Sequence, residues 1–191
     1  MNMQTKPESL SLTPTIEEIS NNFRFTGWIS FWLQLGLGVV CGISLLFAWS
    51  GRTYGDPAYQ GIGISMFWAV CAIIALGAGL YWDIRYTRIA RGLRNLNPEL
   101  RPHKTDTARL VRLGLIVSLV GMLLNLLGAG SGIGVLVSKA VSMPPGVAIT
   151  DPNKMIRALD VFATVANVTG IAAHFVGAIA SLWLLDRVYR H

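Results

Sequence analysis

Side chains that could bind a metal ion or accept a proton lie within an otherwise apolar stretch, residues 159–185. Asp160, Asn167 and His174 follow one another at intervals of seven residues. Because two turns of an α-helix take about 7.2 residues, the three side chains fall nearly on one face. The hydrocarbon of a bilayer cannot solvate such groups. The spacing therefore predicts a polar helix face that turns toward protein or trapped water.

Two further polar side chains, Asn125 and Gln34, lie in other apolar stretches. At a rise of about 1.5 Å per residue, Asn125 and His174 both come near the middle of their stretches, and Gln34 lies in the inner half of the first. Glycine, alanine and serine recur on the same faces, which allows close helix approach. We expect these faces to meet in a polar core. The simpler interpretation is that the amides only join helices, at about 0.6 kcal/mol each on average.

His174 is the strongest candidate for function, because an ionisable residue at mid-membrane is costly and is usually functional. It could act as a transient cation ligand or as a proton acceptor. Asp160, at the outer end, would then be a mouth charge that concentrates cations, and these two residues are the candidate metal ligands. A closed metal site needs three or four strong ligands, and only His174 qualifies within the apolar stretches. We therefore expect no permanently bound cofactor.

The composition is that of a membrane protein. Of the 191 residues, 52% are hydrophobic and only 14% are charged, whereas a soluble domain carries about 25% charged residues. The sequence predicts an all-α membrane protein, with a four-transmembrane-helix bundle in residues 28–191. A disordered segment, residues 1–14, and a short amphipathic helix, residues 15–27, precede the bundle. A span needs roughly 20 apolar residues, and the predicted spans are residues 28–49, 61–82, 113–137 and 161–185.

Basic residues are unevenly divided between the two ends of such a bundle. With four spans, the termini and the middle link share one end, which holds 12 of the 16 lysines and arginines. The positive-inside rule then predicts that both termini are cytoplasmic. The middle link, residues 83–112, begins by continuing the second helix. We expect its basic residues to contact lipid headgroups, with an acidic partner as the alternative; the regularly spaced ones are Arg85, Arg88, Arg91 and Arg94.

Other classes of function have little support. The net charge of +6 fits membrane orientation, and we expect no nucleic-acid binding. The segment GAGSGIG, residues 128–134, follows an apolar helix and opens no βαβ unit, so it does not indicate a dinucleotide site. Cys41 and Cys71 lie in apolar stretches without the spacing of a zinc or disulfide motif. No nucleophile has an evident base and orienting acid, so we expect no enzyme.

Several segments resemble one known membrane-protein family. They are FTGWISFWLQL, YTRIARGLR, GLIVSLVGMLLNLLG, GVLVSKA and ALDVFATVANVTGIAAHFVGAIASLWLL, in that order along the chain. The family is the chloroplast inner-envelope "permease in chloroplasts" family, also described as the twenty-one-kilodalton component of the inner-envelope protein translocon, with its cyanobacterial relatives. The resemblance covers residues 23–188. The polar N-terminal segment has the character of neither a signal peptide nor a transit peptide. In this respect the sequence is similar to a cyanobacterial member of the family.

This resemblance implies a four-span protein with one of two functions, iron uptake or a part in protein import. We expect a permease for iron or another metal ion, working as a homo-oligomer because four helices alone rarely enclose a gated path. The alternative is a structural or assembly subunit of a membrane protein complex such as a translocon. A cyanobacterial member would lie in the plasma membrane or the thylakoid membrane. The resemblance supplies no ligand residues, so His174 and Asp160 rest on the physical interpretation alone.

Overall fold

Four long helices make up the described part of the protein. The computed structural model describes residues 14–50, 60–95, 104–142 and 156–190. Each of the four helices is long and apolar enough to cross a membrane, as the sequence predicts. In chain order they are α1, Pro14–Ser50; α2, Gln60–Leu93; α3, Lys104–Val141; and α4, Ala158–Arg190.

The helices form a closed bundle in which sequence neighbours pack together. α1 contacts α2, α2 contacts α3, α3 contacts α4, and α4 returns to contact α1. α2 and α4 also touch across the bundle, so they form its shorter diagonal. Neighbouring helices run antiparallel: Ser20 near the start of α1 meets Ala90 near the end of α2. Glu18 near the start of α1 also pairs with Arg187 near the end of α4 at 3.6 Å, so these two helix ends lie at the same end of the bundle.

The bundle is less hydrophobic inside than outside. α3 and α4 bury mainly glycine, alanine, serine and amide side chains. Large apolar side chains point outward instead, and Leu123, Phe175 and Ile179 are each half exposed or more. A soluble protein would expose far less apolar surface in one continuous patch. A hydrocarbon solvent favours this arrangement, because lipid contacts satisfy large apolar groups while small residues let the helices approach closely.

α1 is one continuous helix, which differs from the predicted division into residues 15–27 and a span that starts at residue 28. Its first turns pack against the end of α2: Ser20 Oγ donates to the Ala90 carbonyl at 2.8 Å, and Phe23 contacts Tyr86 edge-on. No proline after Pro14 interrupts the segment. Its 37 residues extend about 55 Å, well beyond the roughly 30 Å of hydrocarbon in a bilayer. Residues 1–13, predicted to be disordered, lie outside the described residues.

Much of the predicted basic link is helical. α2 continues beyond residue 82 to Leu93, and α3 begins at Lys104. Residues 96–103 lie outside the described part of the chain. The four regularly spaced arginines therefore project from the last turns of α2 and from the turn that follows it.

Two apolar clusters lie at opposite ends of the bundle, and most of the buried polar side chains lie between them. One cluster fills the end where the chain begins, and it contains Phe23, Tyr86, Ala90, Ala108, Val111, Leu184 and Val188. The other fills the far half, and it contains Cys41, Leu45, Ala48, Ile62, Met66, Ala69, Ala163 and Ala166.

Candidate functional site

The interface between α3 and α4 alternates polar side chains with glycines. Each polar side chain on one helix lies against a glycine on the other, so that a methyl group at the glycine would collide with it. Glycine is required because any larger residue would push the two helices apart. The result is a column of polar side chains along the bundle. The facing pairs are Ser118 with Gly177, His174 with Gly121, Asn125 with Gly170, Asn167 with Gly128, and Thr164 with Gly132.

His174 and Asn125 occupy the middle of the column, and both are buried. The Nε2 atom of His174 lies 3.2 Å from the Ala72 carbonyl on α2. Because a carbonyl only accepts, Nε2 carries the hydrogen and Nδ1 is left as an acceptor. Asn125 Nδ2 donates to the Gly121 carbonyl at 3.2 Å. Neither His174 Nδ1 nor Asn125 Oδ1 has a hydrogen-bond partner among the described residues.

Asn167 connects α4 to α2 in the half of the column farther from the start of α1. We label this half outer and the opposite half inner by their position in the bundle alone. Its Nδ2 donates to Ser65 Oγ at 3.1 Å and to the Ala163 carbonyl at 3.0 Å. Ser65 Oγ in turn donates to the Gly128 carbonyl at 2.8 Å, which adds α3 to the network. Asn167 Oδ1 has no partner within the described chain. Its amide nitrogen therefore joins three helices, while its oxygen remains available.

The inner end of the column contains a buried carboxylate, Asp83, which is only 2% exposed. Gln34 Nε2 donates to Asp83 Oδ2 at 2.6 Å and to Ser30 Oγ at 2.8 Å. The Ser30 hydroxyl also hydrogen-bonds the Asp83 side chain. Within the described residues Asp83 enters no ion pair. Its hydrogen-bond donors among the described residues are therefore neutral side chains of α1.

Sequence reasoning missed Asp83 because Trp82 and Arg85 beside it mark the end of a span, which assigned it to the basic link. A signal was nevertheless present. The small-residue face of α2 includes Ala72 and Gly79, and one further helical turn of about 3.6 residues leads to Asp83. Gly79 itself lies against the Gln34 side chain. This face of α2 thus continues directly into the carboxylate.

Asp160 lies at the start of α4, at the end of the column opposite Asp83, and it forms an ion pair where the sequence predicts a free mouth charge. It is buried, and its Oδ2 accepts from Lys139 Nζ at 2.6 Å and from the Arg157 backbone N–H at 3.0 Å. The ion pair cancels its charge, so Asp160 offers little field to an approaching cation. Asp160 and His174 are 14 residues apart on α4, or about 21 Å, and so the two candidate metal ligands do not share one site.

The column presents acceptor atoms rather than a chelating cage. The described residues contain no group of three or more His, Cys, Asp or Glu side chains that could hold a metal ion. They do contain buried acceptors without a hydrogen-bond partner, distributed along the bundle. Separated oxygen and nitrogen acceptors can coordinate a cation weakly and in sequence, as conduction requires. The unpartnered acceptors of the column are Gln34 Oε1, His174 Nδ1, Asn125 Oδ1, Asn167 Oδ1 and Asp160 Oδ1.

The basic residues predicted for docking lie outside the column and are exposed. Arg85 stacks over the Tyr81 ring at 5.8 Å. Arg94 Nη2 donates to Asn21 Oδ1 on α1 at 2.6 Å. Arg91 lines a surface cavity between the two helices, and Arg88 is exposed on the same segment of α2. These residues surround the end of the bundle at which Asp83 is buried.

Comparisons with known proteins agree with the resemblance predicted from the sequence. The chain is 30% identical over 189 residues to "Protein TIC 21, chloroplastic" from Arabidopsis thaliana, and the match covers 96% of this chain. It covers 62% of that relative, so the chain spans less than two thirds of the relative's length. No solved structure matches the chain. The family model described as "Protein of unknown function (DUF3611)" matches residues 13–189. Because this match spans nearly the whole chain, the chain belongs to this family, and it is related to TIC 21 as the sequence predicts.

Proposed function

We propose that the protein is a membrane permease that carries a metal cation, with iron as the first candidate, along the polar column. The observation that carries this proposal is Asp83, a buried carboxylate with neutral donors and without an ion pair in the described chain. An ionisable residue inside a membrane bundle is a functional candidate by default. The choice of iron comes from the family resemblance. On this proposal the protein is a carrier and not an enzyme.

The order of the groups along the column suits a cation in transit. Asp83 supplies the negative charge that offsets the loss of the cation's hydration shell. The amide oxygens of Gln34, Asn125 and Asn167 and the Nδ1 atom of His174 then supply weaker ligands at successive depths. A transported ion must be held strongly enough to enter and weakly enough to leave. A single carboxylate followed by neutral acceptors meets both conditions.

The glycine contacts imply that movement is needed for transport. The polar side chains of α3 and α4 fill the space that the facing glycines leave. A cation can pass only if these side chains rotate or if the two helices separate. We propose that a homo-oligomer provides this freedom, because four helices leave little room for a gated path. The apolar outer surface, with Trp28 and Trp32 both 55% exposed, is available to lipid or to a second copy.

We further propose that both termini are cytoplasmic and that the protein lies in the plasma membrane or the thylakoid membrane of a cyanobacterium. The antiparallel bundle brings the start of α1, the end of α2 and the end of α4 together. That end carries the exposed arginines of α2 and α4, which supports the positive-inside assignment. Cleavage of an N-terminal tag by protease from one side of sealed vesicles tests the orientation.

Uptake of radiolabelled Fe²⁺ into proteoliposomes tests the permease proposal. We expect saturable uptake by the wild-type protein. Asp83→Asn should lower it at least about tenfold, since losing about 1.4 kcal/mol of interaction with the cation already corresponds to a factor of ten. The matched control is Asp186→Asn, which removes an exposed carboxylate from α4 that pairs with Arg190 and should leave uptake unchanged.

Two outcomes of this assay would contradict the proposal or narrow it. If the wild-type protein takes up none of the metals tested, the permease proposal is wrong. His174→Ala in the same assay addresses the histidine separately. Equal, saturable uptake by His174→Ala and the wild type would remove His174 from the mechanism, and Asp83 would remain the central group.

The second candidate function is a structural or assembly subunit of a membrane protein complex. The observation that favours it is the interlocking of polar side chains and glycines, which would serve a rigid scaffold equally well. Crosslinking in native membranes separates the two functions. A stable hetero-complex, together with unchanged cellular metal content in a deletion strain, would favour assembly over transport.

A further inference from the structure

A cavity of about 940 Å³ opens on the surface between the first turns of α1 and the last turns of α2. Three arginines line it, Arg24 from α1 and Arg91 and Arg94 from α2. No acidic side chain is among its lining residues in the described chain. The cavity, which we call the arginine groove, is therefore a positively charged recess at the end of the bundle where the chain begins.

The arginine groove is held in shape by contacts between its two walls. Arg94 Nη2 donates to Asn21 Oδ1 at 2.6 Å across the groove. Beside it, Ser20 Oγ donates to the carbonyl of the buried Ala90 at 2.8 Å. A guanidinium group has five N–H donors, so Arg94 can keep its bond to Asn21 and still donate to an anion. A phosphate would meet donors that are already positioned.

The other side of the arginine groove is aromatic. Phe25 is 70% exposed and Trp28 is 55% exposed, and both line the groove. Trp28 stacks on Phe31 and contacts Trp32 edge-on, so the aromatic surface continues along α1 toward the predicted span. Tryptophan is enriched at the boundary between headgroups and hydrocarbon. The groove thus combines cationic donors with an apolar surface that leads away from them.

We propose that the arginine groove binds one anionic phospholipid, with the headgroup phosphate against Arg24, Arg91 and Arg94 and an acyl chain along Phe25 and Trp28. Charge complementarity selects an anion. The aromatic surface selects a lipid over free phosphate, because only a lipid has a chain to cover it. This site is separate from the buried column and does not depend on the proposed transport function.

Native mass spectrometry of the full chain in detergent tests the site by titration with phosphatidylglycerol and, separately, phosphatidylcholine. The variant Arg24→Gln/Arg91→Gln/Arg94→Gln should lose affinity for phosphatidylglycerol on the order of 100-fold, at about one phosphate contact per arginine. Affinity for phosphatidylcholine should change little. A control removes two arginines of α4 that lie outside both the groove and the basic link, and it should keep its affinity within about threefold; it is Arg187→Gln/Arg190→Gln.

Several outcomes would overturn the lipid site. Equal weakening in the groove variant and in the α4 control would indicate diffuse charge attraction, and no weakening in either would indicate no site. Displacement of phosphatidylglycerol by inorganic phosphate at equal concentration would assign the groove to a free anion. A change in oligomeric mass without a change in bound lipid would make the groove an interface between copies. If the triple variant does not fold, the single variant Arg91→Gln should still weaken phosphatidylglycerol binding about fivefold.

Discussion

The two buried carboxylates in the described part of the bundle, Asp83 and Asp160, differ in their partners. Asp160 at the outer end is joined to Lys139 in an ion pair of 2.6 Å and accepts a backbone N–H as well. Asp83 at the inner end is as deeply buried, but its partners are the neutral side chains of Gln34 and Ser30. Both carboxylates accept hydrogen bonds. Only the outer site also balances the charge.

This difference separates a structural role from a binding role. A buried ion pair holds two elements together, and here Lys139 near the end of α3 is connected to Asp160 at the start of α4. A buried carboxylate with neutral partners has no cation bound to its oxygens in the described chain, so a cation that enters the bundle meets no competitor there. We therefore assign the outer pair to the connection between α3 and α4 and the inner carboxylate to cation binding.

Breaking the outer pair should have the largest effect on stability. Lys139→Met leaves the Asp160 charge buried without its partner, which should lower the free energy of unfolding by about 3–5 kcal/mol. The double variant Lys139→Met/Asp160→Leu removes both charges and should recover most of that loss. Unfolding of the reconstituted protein by denaturant measures both. Arg190→Gln, which opens the exposed pair with Asp186, should cost no more than about 1 kcal/mol.

A double variant that is no more stable than Lys139→Met alone would contradict the structural role. It would mean that Asp160 and Lys139 stabilise the bundle through other contacts, and the distinction between the two carboxylates would lose its basis.

Adding a side chain at a glycine that faces the column should have the next largest effect on stability. A methyl group at Gly121 would collide with the His174 ring, so Gly121→Ala should destabilise the protein by about 1–3 kcal/mol. Gly130 on the same helix has open space around it, so Gly130→Ala should be neutral or stabilising by up to about 1 kcal/mol. The same denaturation experiment compares them. Equal effects of Gly121→Ala and Gly130→Ala on stability would mean that the contacts between glycines and polar side chains do not determine how closely α3 and α4 pack.

Removing amides from the column should have the smallest effect, and the effect should differ by position. Asn167 Nδ2 donates to Ser65 and to the Ala163 carbonyl, whereas Asn125 Nδ2 donates only to the Gly121 carbonyl among the described residues. We expect Asn167→Leu to cost up to about 2 kcal/mol and Asn125→Leu about 0.6 kcal/mol. A reversed order would show that the hydrogen bonds do not govern the contribution of these side chains.

The fold could be predicted almost entirely from hydropathy, because a bilayer requires long apolar helices. The burial of Asn125 and His174 also followed from spacing, since lipid solvates neither an amide nor an imidazole. The length of α1 could not be predicted, because its first turns are polar enough to resemble a separate surface helix. They join α1 through contacts of Ser20 and Phe23 with α2, which are distant in sequence.

The charge state of the column could not be predicted, because it depends on pairs that sequence spacing does not reveal. Lys139 belongs to the outer set of basic residues, but nothing in its neighbourhood identifies Asp160 as its partner 21 residues later. The position of Asp83 was difficult to predict for a different reason. Its local surroundings resemble the end of a span, whereas its helix face leads into the interior and brings it to Gln34.

The most direct measurement compares Fe²⁺ uptake by Asp83→Asn with uptake by Lys139→Met/Asp160→Leu in the same proteoliposomes, at matched protein content and helicity. Each variant removes one buried carboxylate. We predict that Asp83→Asn loses at least about nine tenths of the uptake rate, while the double variant keeps most of it. Comparable uptake by the two variants, or loss only in the double variant, would contradict the assignment of cation binding to Asp83.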